Sequence, residues 1–165
     1  MKSRTTLLLA VIATGLLATP TAFPEVVRPA PAIAFPPEGG KQRTLAFFKG
    51  QPLILLLAEA PSRGSFKAQL KELQTSFDRL AVRGAIVAAA FQGGDPATVR
   101  TNIPLVLLPD GPAACSAFQL KGGFAVVLIG PDGNIDYQTR KVLNMNRILE
   151  VMQNSYEVQK SIRRK

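Results

Sequence analysis

The chain has 165 residues, of which 47% are hydrophobic and 19% charged, a balance typical of a folded globular protein. It carries 20 lysine and arginine residues against 11 acidic residues, with one cysteine and no histidine. This composition excludes a histidine general base, a histidine metal ligand, an internal disulfide and a zinc site of several thiolates. Aromatic residues make up 7% of the chain, so we expect no specific nucleic-acid partner.

Residues 1–22 have the pattern of an export signal. Lys2 and Arg4 precede the apolar run Leu7–Ala18, and Pro20 follows it among small residues. The run is shorter than the ~20 apolar residues that a membrane-spanning helix needs, so a secretory signal fits better. We therefore expect export to a periplasm or an equivalent lumen. The flanks lack a clean small-x-small cleavage site, and an uncleaved signal that tethers the protein to a membrane stays an alternative.

Residues 23–43 are predicted to be a linker rich in Pro, Gly and Ala. Within it, Glu25–Gln42 contains proline and glycine at short intervals. Because proline lacks a backbone N–H and glycine is conformationally free, we expect this segment to hold neither a helix nor a sheet ladder. It would then be an extended leader, and with an uncleaved signal it would hold the domain away from the membrane.

Residues 44–165 are predicted to form one α/β domain that begins with a βαβ unit. Leu53–Ala58 is apolar on both faces, as a central parallel strand requires. Gly84 is predicted to end the helix that follows, and Ala85–Phe91 is a second buried strand, so the unit is expected to be right-handed. The helix has an apolar stripe at spacings of three and four residues, formed by Phe66, Leu70, Leu73, Phe77 and Leu80.

An irregular stretch follows. Ile103–Leu108 is apolar but contains Pro104, so it is predicted to be an edge strand or an irregular one. Pro109–Pro112 reads as a turn, and Ala113–Leu120 as a short apolar helix.

The chain is predicted to end with a β-hairpin and a helix. Phe124–Ile129 is an apolar strand, and the turn Gly130–Asn134 joins it to Ile135–Thr139. The final helix is expected over Asn144–Ser161. The candidates for its inner face are Ile148, Leu149, Met152, Tyr156 and Val158.

This order of elements resembles the thioredoxin fold, a three-layer α/β sandwich in which a βαβ unit is followed by a β-hairpin and a C-terminal helix. Leu105–Ile135 is similar to the second half of peroxiredoxins, with an Asp-containing turn, a short helix and a strand that ends in a Pro-Asp-Gly hairpin. The block GFAVVLIGPDG, the start of the domain and the basic terminal helix resemble a family of exported bacterial thioredoxin-like domains of unknown function. The resemblance covers about Leu45–Arg164.

The resemblance implies where a redox site would lie. In thioredoxins and peroxiredoxins the reactive thiol sits at the start of the first helix, where the helix N-terminus lowers its pKa. The matching positions here, Ser62–Ser65, contain no cysteine. These families also place a cis-proline just before the hairpin strand, where this chain has Lys121-Gly122-Gly123. Both differences imply the loss of oxidoreductase activity, so we expect no catalytic residues, no cofactor and no metal.

The same positions offer a contact surface. Ser62 and Ser65 are predicted to be a helix N-cap and a first-turn residue, with an anion or peptide site that includes Arg63 as the alternative. Glu59 is expected to be a solvated turn residue paired with Arg63 or Lys67, and the alternative is a general base. The predicted partner or anion contacts are Glu59, Ser62, Arg63, Ser65, Gly122 and Gly123.

Cys115 is the single thiol, and it lies in a helix of small residues. We expect it to be buried as a small hydrophobic side chain. The alternative is a lone thiol that reacts with peroxide or bridges to a partner.

The sequence as a whole predicts a non-catalytic exported domain that acts as a protein-binding module or as a subunit of an envelope or membrane assembly. The N-terminal apolar segment or the basic terminal segment Arg147–Lys165 would supply any contact with a membrane surface. The alternative function is a single-thiol, peroxidase-like or redox-responsive protein that uses Cys115.

Overall fold

The computed structural model describes residues 28–163, with side chains as far as Ser155. Its strands are β1 (Arg28–Pro29), β2 (Ala34–Glu38), β3 (Lys41–Thr44), β4 (Leu53–Ala58), β5 (Ile86–Phe91), β6 (Val106–Leu107), β7 (Phe124–Ile129) and β8 (Asn134–Thr139). Its α-helices are α1 (Gly64–Thr75), α2 (Phe77–Ala81), α3 (Gly111–Ala117) and α4 (Met145–Arg163). Short 3-10 helices cover Leu45–Phe48 and Pro96–Thr98.

The central sheet has six strands in the order β1-β8-β7-β4-β5-β6. β4 runs parallel to β5 and antiparallel to β7, and all six of its residues are buried, as its uninterrupted apolar sequence predicted. β6 is a two-residue edge strand, which confirms the expectation of an edge or irregular strand at Pro104. β7 and β8 form the predicted antiparallel hairpin. Its turn is closed by Asp132, whose carboxylate accepts hydrogen bonds from the backbone and side chain of Asn134.

Helices cover both faces of the sheet, so the predicted three-layer thioredoxin-like sandwich is confirmed. On one face, Ile54 and Leu56 of β4 belong to a buried cluster with residues of α1, α2 and α4. On the other face, Leu55 and Leu57 belong to a second cluster with α3 and the N-terminal segment. The alternation follows from the two-residue period of a strand. The two clusters together hold all of the buried apolar side chains of the described residues.

The expectation that Glu25–Gln42 forms no sheet ladder is wrong for the described part, residues 28–42. β1 pairs with β8 and is an edge strand of the sheet. Pro29 has no backbone N–H, and an edge strand tolerates this because it has a neighbouring strand on one side only. β2 and β3 form a hairpin around Gly39 and Gly40, which have φ angles of 58° and 74°. Two successive positive φ angles are what a tight hairpin turn requires, and the Gly-Gly pair was the overlooked sequence signal.

The described N-terminal segment is also part of the core. Ile33 is 6% exposed and Phe35 is fully buried. The ring of Phe35 packs 4.5 Å from that of Phe48, measured between centroids. The contact between these two rings buries apolar surface in a segment that is otherwise rich in proline and glycine.

The single helix expected between β4 and Gly84 is divided into α1 and α2. Ser76 separates them with φ −137° and ψ 35°, outside the helical region. Just before this break, the Thr75 hydroxyl donates to the Lys71 carbonyl at 2.9 Å, a bond that often bends helices. The predicted apolar stripe nevertheless faces the sheet, since Phe66, Leu70, Leu73 and Leu80 are buried and Phe77 is half-buried.

Two polar side chains of α1 hold the start of α4. Gln69 is fully buried; its amide nitrogen donates to the Leu143 carbonyl at 3.0 Å, and its oxygen accepts from the Leu143 N–H at 2.7 Å. The Glu72 carboxylate accepts from the Met145 N–H at 2.8 Å, which satisfies a donor at the first residue of α4. Three of the predicted inner-face residues of α4, Ile148, Leu149 and Met152, are buried. Tyr156 and Val158 lie outside the described side chains.

The predicted export signal lies outside the described residues, as do the side chains of Lys160–Lys165. Between residues 28 and 163, no helix is both long and apolar enough to span a bilayer. Arg147, the described basic residue of the terminal segment, pairs with Glu150 at 2.8 Å and lies over the Tyr137 ring.

Candidate functional site

Three segments meet at the carboxyl end of β4, the edge of an α/β sheet where ligands usually bind. The first is the turn from β4 into α1, the second follows β5, and the third precedes β7. The Glu59 N–H donates to the Gly123 carbonyl at 2.8 Å, and the Gly93 N–H donates to the Glu59 carbonyl at 2.9 Å. The side-chain amide of Gln92 donates to the Leu120 carbonyl at 2.7 Å and joins the second segment to the third. The turn after β4 is therefore held from both sides.

We call the predicted contact residues at this edge the carboxyl-edge surface. It comprises Glu59, Ser62, Arg63, Ser65, Gly122 and Gly123. The structure brings Glu59, Arg63 and Gly123 into contact through the Glu59 carboxylate. Its Oε2 atom lies 3.6 Å from Arg63 Nη1 and accepts a long hydrogen bond, 3.4 Å, from the Gly123 N–H.

The Glu59–Arg63 pair is solvated. The Glu59 side chain is 56% exposed and that of Arg63 is 51% exposed. This confirms the interpretation of Glu59 as a solvated turn residue paired with Arg63. Exposed pairs of this kind contribute about 0–1 kcal/mol to stability, so the pair is not needed to hold the fold together. Both charged groups are accessible to solvent at this edge.

The two serines lie beside this pair without capping the helix. Arg63 is the N-cap residue of α1, and no side chain caps this helix end, so the prediction of Ser62 as the N-cap is wrong. Ser62 is exposed, and Ser65 is half-buried in the first turn, as predicted. The helix begins at Gly64, one residue later than an N-cap at Ser62 would place it, and the guanidinium of the N-cap residue Arg63 cannot accept a backbone N–H.

Gly122 and Gly123 form the opposite side of the edge. Their φ angles are +93° and +78°, a region that residues with a side chain rarely adopt. A Cβ atom at either position would meet nothing within 4 Å, so backbone conformation and not space favours glycine here. No described residue has a cis peptide bond. The structure thus has an open pair of glycines at the position where the sequence resemblance to thioredoxins and peroxiredoxins would place a cis-proline.

Gly94 completes the edge and was missed by the sequence analysis. Its φ angle is +80°, and a Cβ atom there would lie 2.9 Å from Cδ of Pro61, so the chain after β5 approaches the turn after β4 closely. The signal that could have placed it was the Gly93-Gly94 pair, which begins two residues after the end of a buried parallel strand. Gln92, whose amide joins the segments, carried no such signal.

Cys115 lies in the interior, as predicted. The side chain is 0% exposed and belongs to the cluster between α3 and the sheet. Its Sγ atom lies 3.8 Å from the Ala90 carbonyl oxygen and 4.0 Å from that of Ala58. Burial raises the pKa of the Cys115 thiol from 9.0 to about 11. At neutral pH this group is therefore an uncharged thiol that solvent does not reach.

The described residues contain no group of three or more acidic, cysteine or histidine side chains with the geometry of a metal site. The turn at Asp132 uses its carboxylate within the hairpin.

Known proteins resemble this chain in structure and not in sequence. No protein-family model matches the sequence, and no curated protein matches it. A candidate thioredoxin from Neisseria meningitidis superposes with a TM-score of 0.64 at 20% identity, over 79% of this chain and 91% of that one. The thioredoxin domain of a thiol-disulfide oxidoreductase from Bacteroides vulgatus has a TM-score of 0.57 at 16% identity, over 76% and 94% of the two chains. The bacterioferritin comigratory protein of Xanthomonas campestris, studied for alkyl peroxide reduction, has a TM-score of 0.57 at 18% identity, over 76% and 89%. At these identities the likeness shows a thioredoxin-like fold.

Proposed function

We propose that this protein is a non-catalytic, exported thioredoxin-like domain that binds a protein partner, either as a separate module or as a subunit of an envelope or membrane assembly. The carboxyl-edge surface is the proposed contact. One observation carries the proposal: the start of α1 has no thiol, and the Glu59 carboxylate stands there between Arg63 and the Gly123 N–H. A carboxylate, a guanidinium and open backbone can form charge-assisted hydrogen bonds with a partner.

The export half of the proposal is supported by the sequence of residues 1–22. A positive start, a short apolar run and small residues after it are the features that secretion machinery reads. Retention of this segment would tether the domain to a membrane, and removal would release it.

The alternative, a peroxidase-like reaction at Cys115, needs a thiolate that peroxide can reach. Cys115 is fully buried and its pKa is raised to about 11, so neither requirement is met in the folded state. Desolvation by burial raises the pKa of the Cys115 thiol and outweighs the backbone hydrogen bond with Ala58, which lowers it. These observations favour the binding function.

Site-specific photocrosslinking in the cells that make the protein tests the proposal. A photoreactive residue in place of the exposed Ser62 is expected to give one discrete crosslinked species. The same residue in place of Ala97, exposed on the nearby 3-10 helix, is the matched control and should give none. The charge reversal Arg63→Glu should reduce the Ser62 product severalfold. No product at Ser62, or equal products at both positions, would contradict a contact at this surface.

A further inference from the structure

A second candidate site shares no residue with the carboxyl-edge surface. It is a cleft of about 220 Å³ between β1, the end of α3 and β8. Its lining consists of Arg28, Pro29, Pro31, Ala117, Phe118, Gln119, Ile135, Gln138 and Arg140. The cleft is larger than a cavity of ~150 Å³ that holds benzene, so it has room for a small organic molecule.

The charges of the cleft are of one sign. Arg28 and Arg140 line it, and no acidic residue does. Among the described residues, the three ion pairs within 4.0 Å involve other arginines, so neither of these guanidinium groups has a carboxylate partner in this part of the chain. Two like charges that share one cleft repel each other, and an anion between them removes the repulsion. The electrostatics therefore favour an oxyanion.

Arg28, one of the two arginines that line the cleft, is held in place by a hydrogen bond. Arg28 Nη2 donates to Gln138 Oε1 at 2.7 Å, and the Gln138 amide nitrogen in turn donates to the Phe118 carbonyl at 3.3 Å. This chain of bonds uses one of the five N–H donors of the guanidinium and leaves the others for a ligand. A guanidinium that is oriented before binding loses less conformational entropy when it binds an oxyanion.

Gln119 adds a polar group where the backbone favours glycine. It follows the last turn of α3 with φ +57°, and it is the only non-glycine residue with a positive φ in residues 28–163. Glycine would adopt this conformation without strain, whereas a residue with a side chain is strained there. The strained residue contributes an amide to the lining of the cleft.

From these observations we propose that the cleft binds a small organic anion with an oxyanion head group, a carboxylate or a phosphate, and a short apolar body. The two guanidinium groups contact the head group, since a guanidinium matches the geometry of either oxyanion. The apolar side chains of the lining that are not buried, which include Pro29, Pro31 and Ile135, contact the body.

Titration of the full-length protein, followed by protein NMR, tests the proposal. The probes are benzoate, phenyl phosphate and inorganic phosphate, with benzyl alcohol as the uncharged control. We expect benzoate or phenyl phosphate to bind at least tenfold more tightly than benzyl alcohol, with shifts centred on the backbone amides of Phe118, Gln119 and Gln138. The stronger of the two identifies the head group. Inorganic phosphate should bind more weakly than phenyl phosphate because it lacks the apolar body.

Four variants locate the binding. Arg28→Gln and Arg140→Gln should each weaken binding about tenfold, which corresponds to ~1.4 kcal/mol. Arg100→Gln, an exposed position outside the cleft with the same change in charge, should leave binding unchanged. Arg63→Glu should also leave it unchanged, so a failure of the proposed partner contact is distinguishable from a failure here. If neither organic anion binds at a concentration of about 10 mM, the proposal is overturned. Equal weakening of binding by all three Gln variants would also overturn it.

Discussion

The carboxyl-edge surface and the interior around Cys115 lie next to each other but differ in access to solvent. Glu59 and Arg63 are more than half exposed, whereas Cys115 is fully buried. Cys115 Sγ contacts the Ala58 carbonyl oxygen, and Ala58 directly precedes Glu59 in the chain. Thiol chemistry needs a thiolate that is both accessible and stabilised. In this protein the solvent-exposed surface at the start of α1 has no thiol, and the thiol of Cys115 is not accessible to solvent. The exposed surface is the proposed partner contact, whereas Cys115 is a packing residue.

The largest expected effect concerns the reactivity of Cys115. Relative to the unfolded chain, a pKa of about 11 against 9.0 lowers the thiolate fraction at neutral pH about 100-fold, and burial adds exclusion of the reagent. We therefore expect an aromatic disulfide reagent to react at least ~100-fold more slowly with the folded protein than with the same protein in denaturant. Rapid reaction of Cys115 in native buffer would show that the thiol is accessible, and the two regions would then not differ in access to solvent.

A single methyl group at Gly111 is expected to disrupt the packing of α3 against β5. A Cβ atom at Gly111 would collide with the Phe91 carbonyl oxygen and lie 2.8 Å from the Phe91 nitrogen. Gly111→Ala should therefore lower the free energy of unfolding by about 3 kcal/mol and expose Cys115 to the same reagent. Gly64→Ala is the matched control, since a Cβ there meets nothing within 4 Å and its φ is not positive. Chemical denaturation measures both, and equal stability of the two variants would contradict the packing of α3.

The raised pKa of Cys115 predicts a pH dependence of stability. Burial favours the neutral thiol, so the folded pKa, about 11, lies above the unfolded value of 9.0. The resulting stability is fully present below pH 9 and is lost as the pH rises through 11. Two pKa units correspond to about 2–3 kcal/mol. Because tyrosines and lysines also titrate in this range, the quantity to measure is the wild-type protein minus Cys115→Ala, and a flat difference would refute the burial effect.

The smallest effect on stability is expected at the carboxyl-edge surface. Glu59→Gln breaks an exposed ion pair, so the free energy of unfolding should change by about 0.5 kcal/mol or less. The same substitution should reduce the photocrosslinked product at Ser62. The variant Lys71→Gln, which changes an exposed charge further along α1, is the control for both measurements. A large loss of stability in Glu59→Gln would show that the carboxylate is structural.

The sequence predicts the sheet and the layers well because their signals are local. Leu53–Ala58 and Phe124–Ile129 are unbroken apolar runs, and the apolar stripe of α1 has the period of a helix. The N-terminal segment was harder to predict, because Ile33 and Phe35 are buried in a cluster with residues of α3 and β7, which are distant in the chain.

In the candidate sites, too, local contacts could be predicted from the sequence and long-range contacts could not. The pairing of Glu59 with Arg63 has the four-residue spacing of a helix turn and could be predicted. Gln69 could not, since a buried amide that holds Leu143 across 74 residues has no sequence signal. The cleft at Arg28 and Arg140 likewise exists only because β1 adds to β8.

The central claim is that the scaffold binds without thiol chemistry, and turnover assays on wild-type protein and Cys115→Ala test it most directly. Both proteins are given a thiol reductant, and the reduction of a protein disulfide and the consumption of peroxide are followed. The account predicts that neither protein exceeds the rate of the reductant alone and that the two are indistinguishable. Turnover by the wild-type protein that is lost in Cys115→Ala would contradict it.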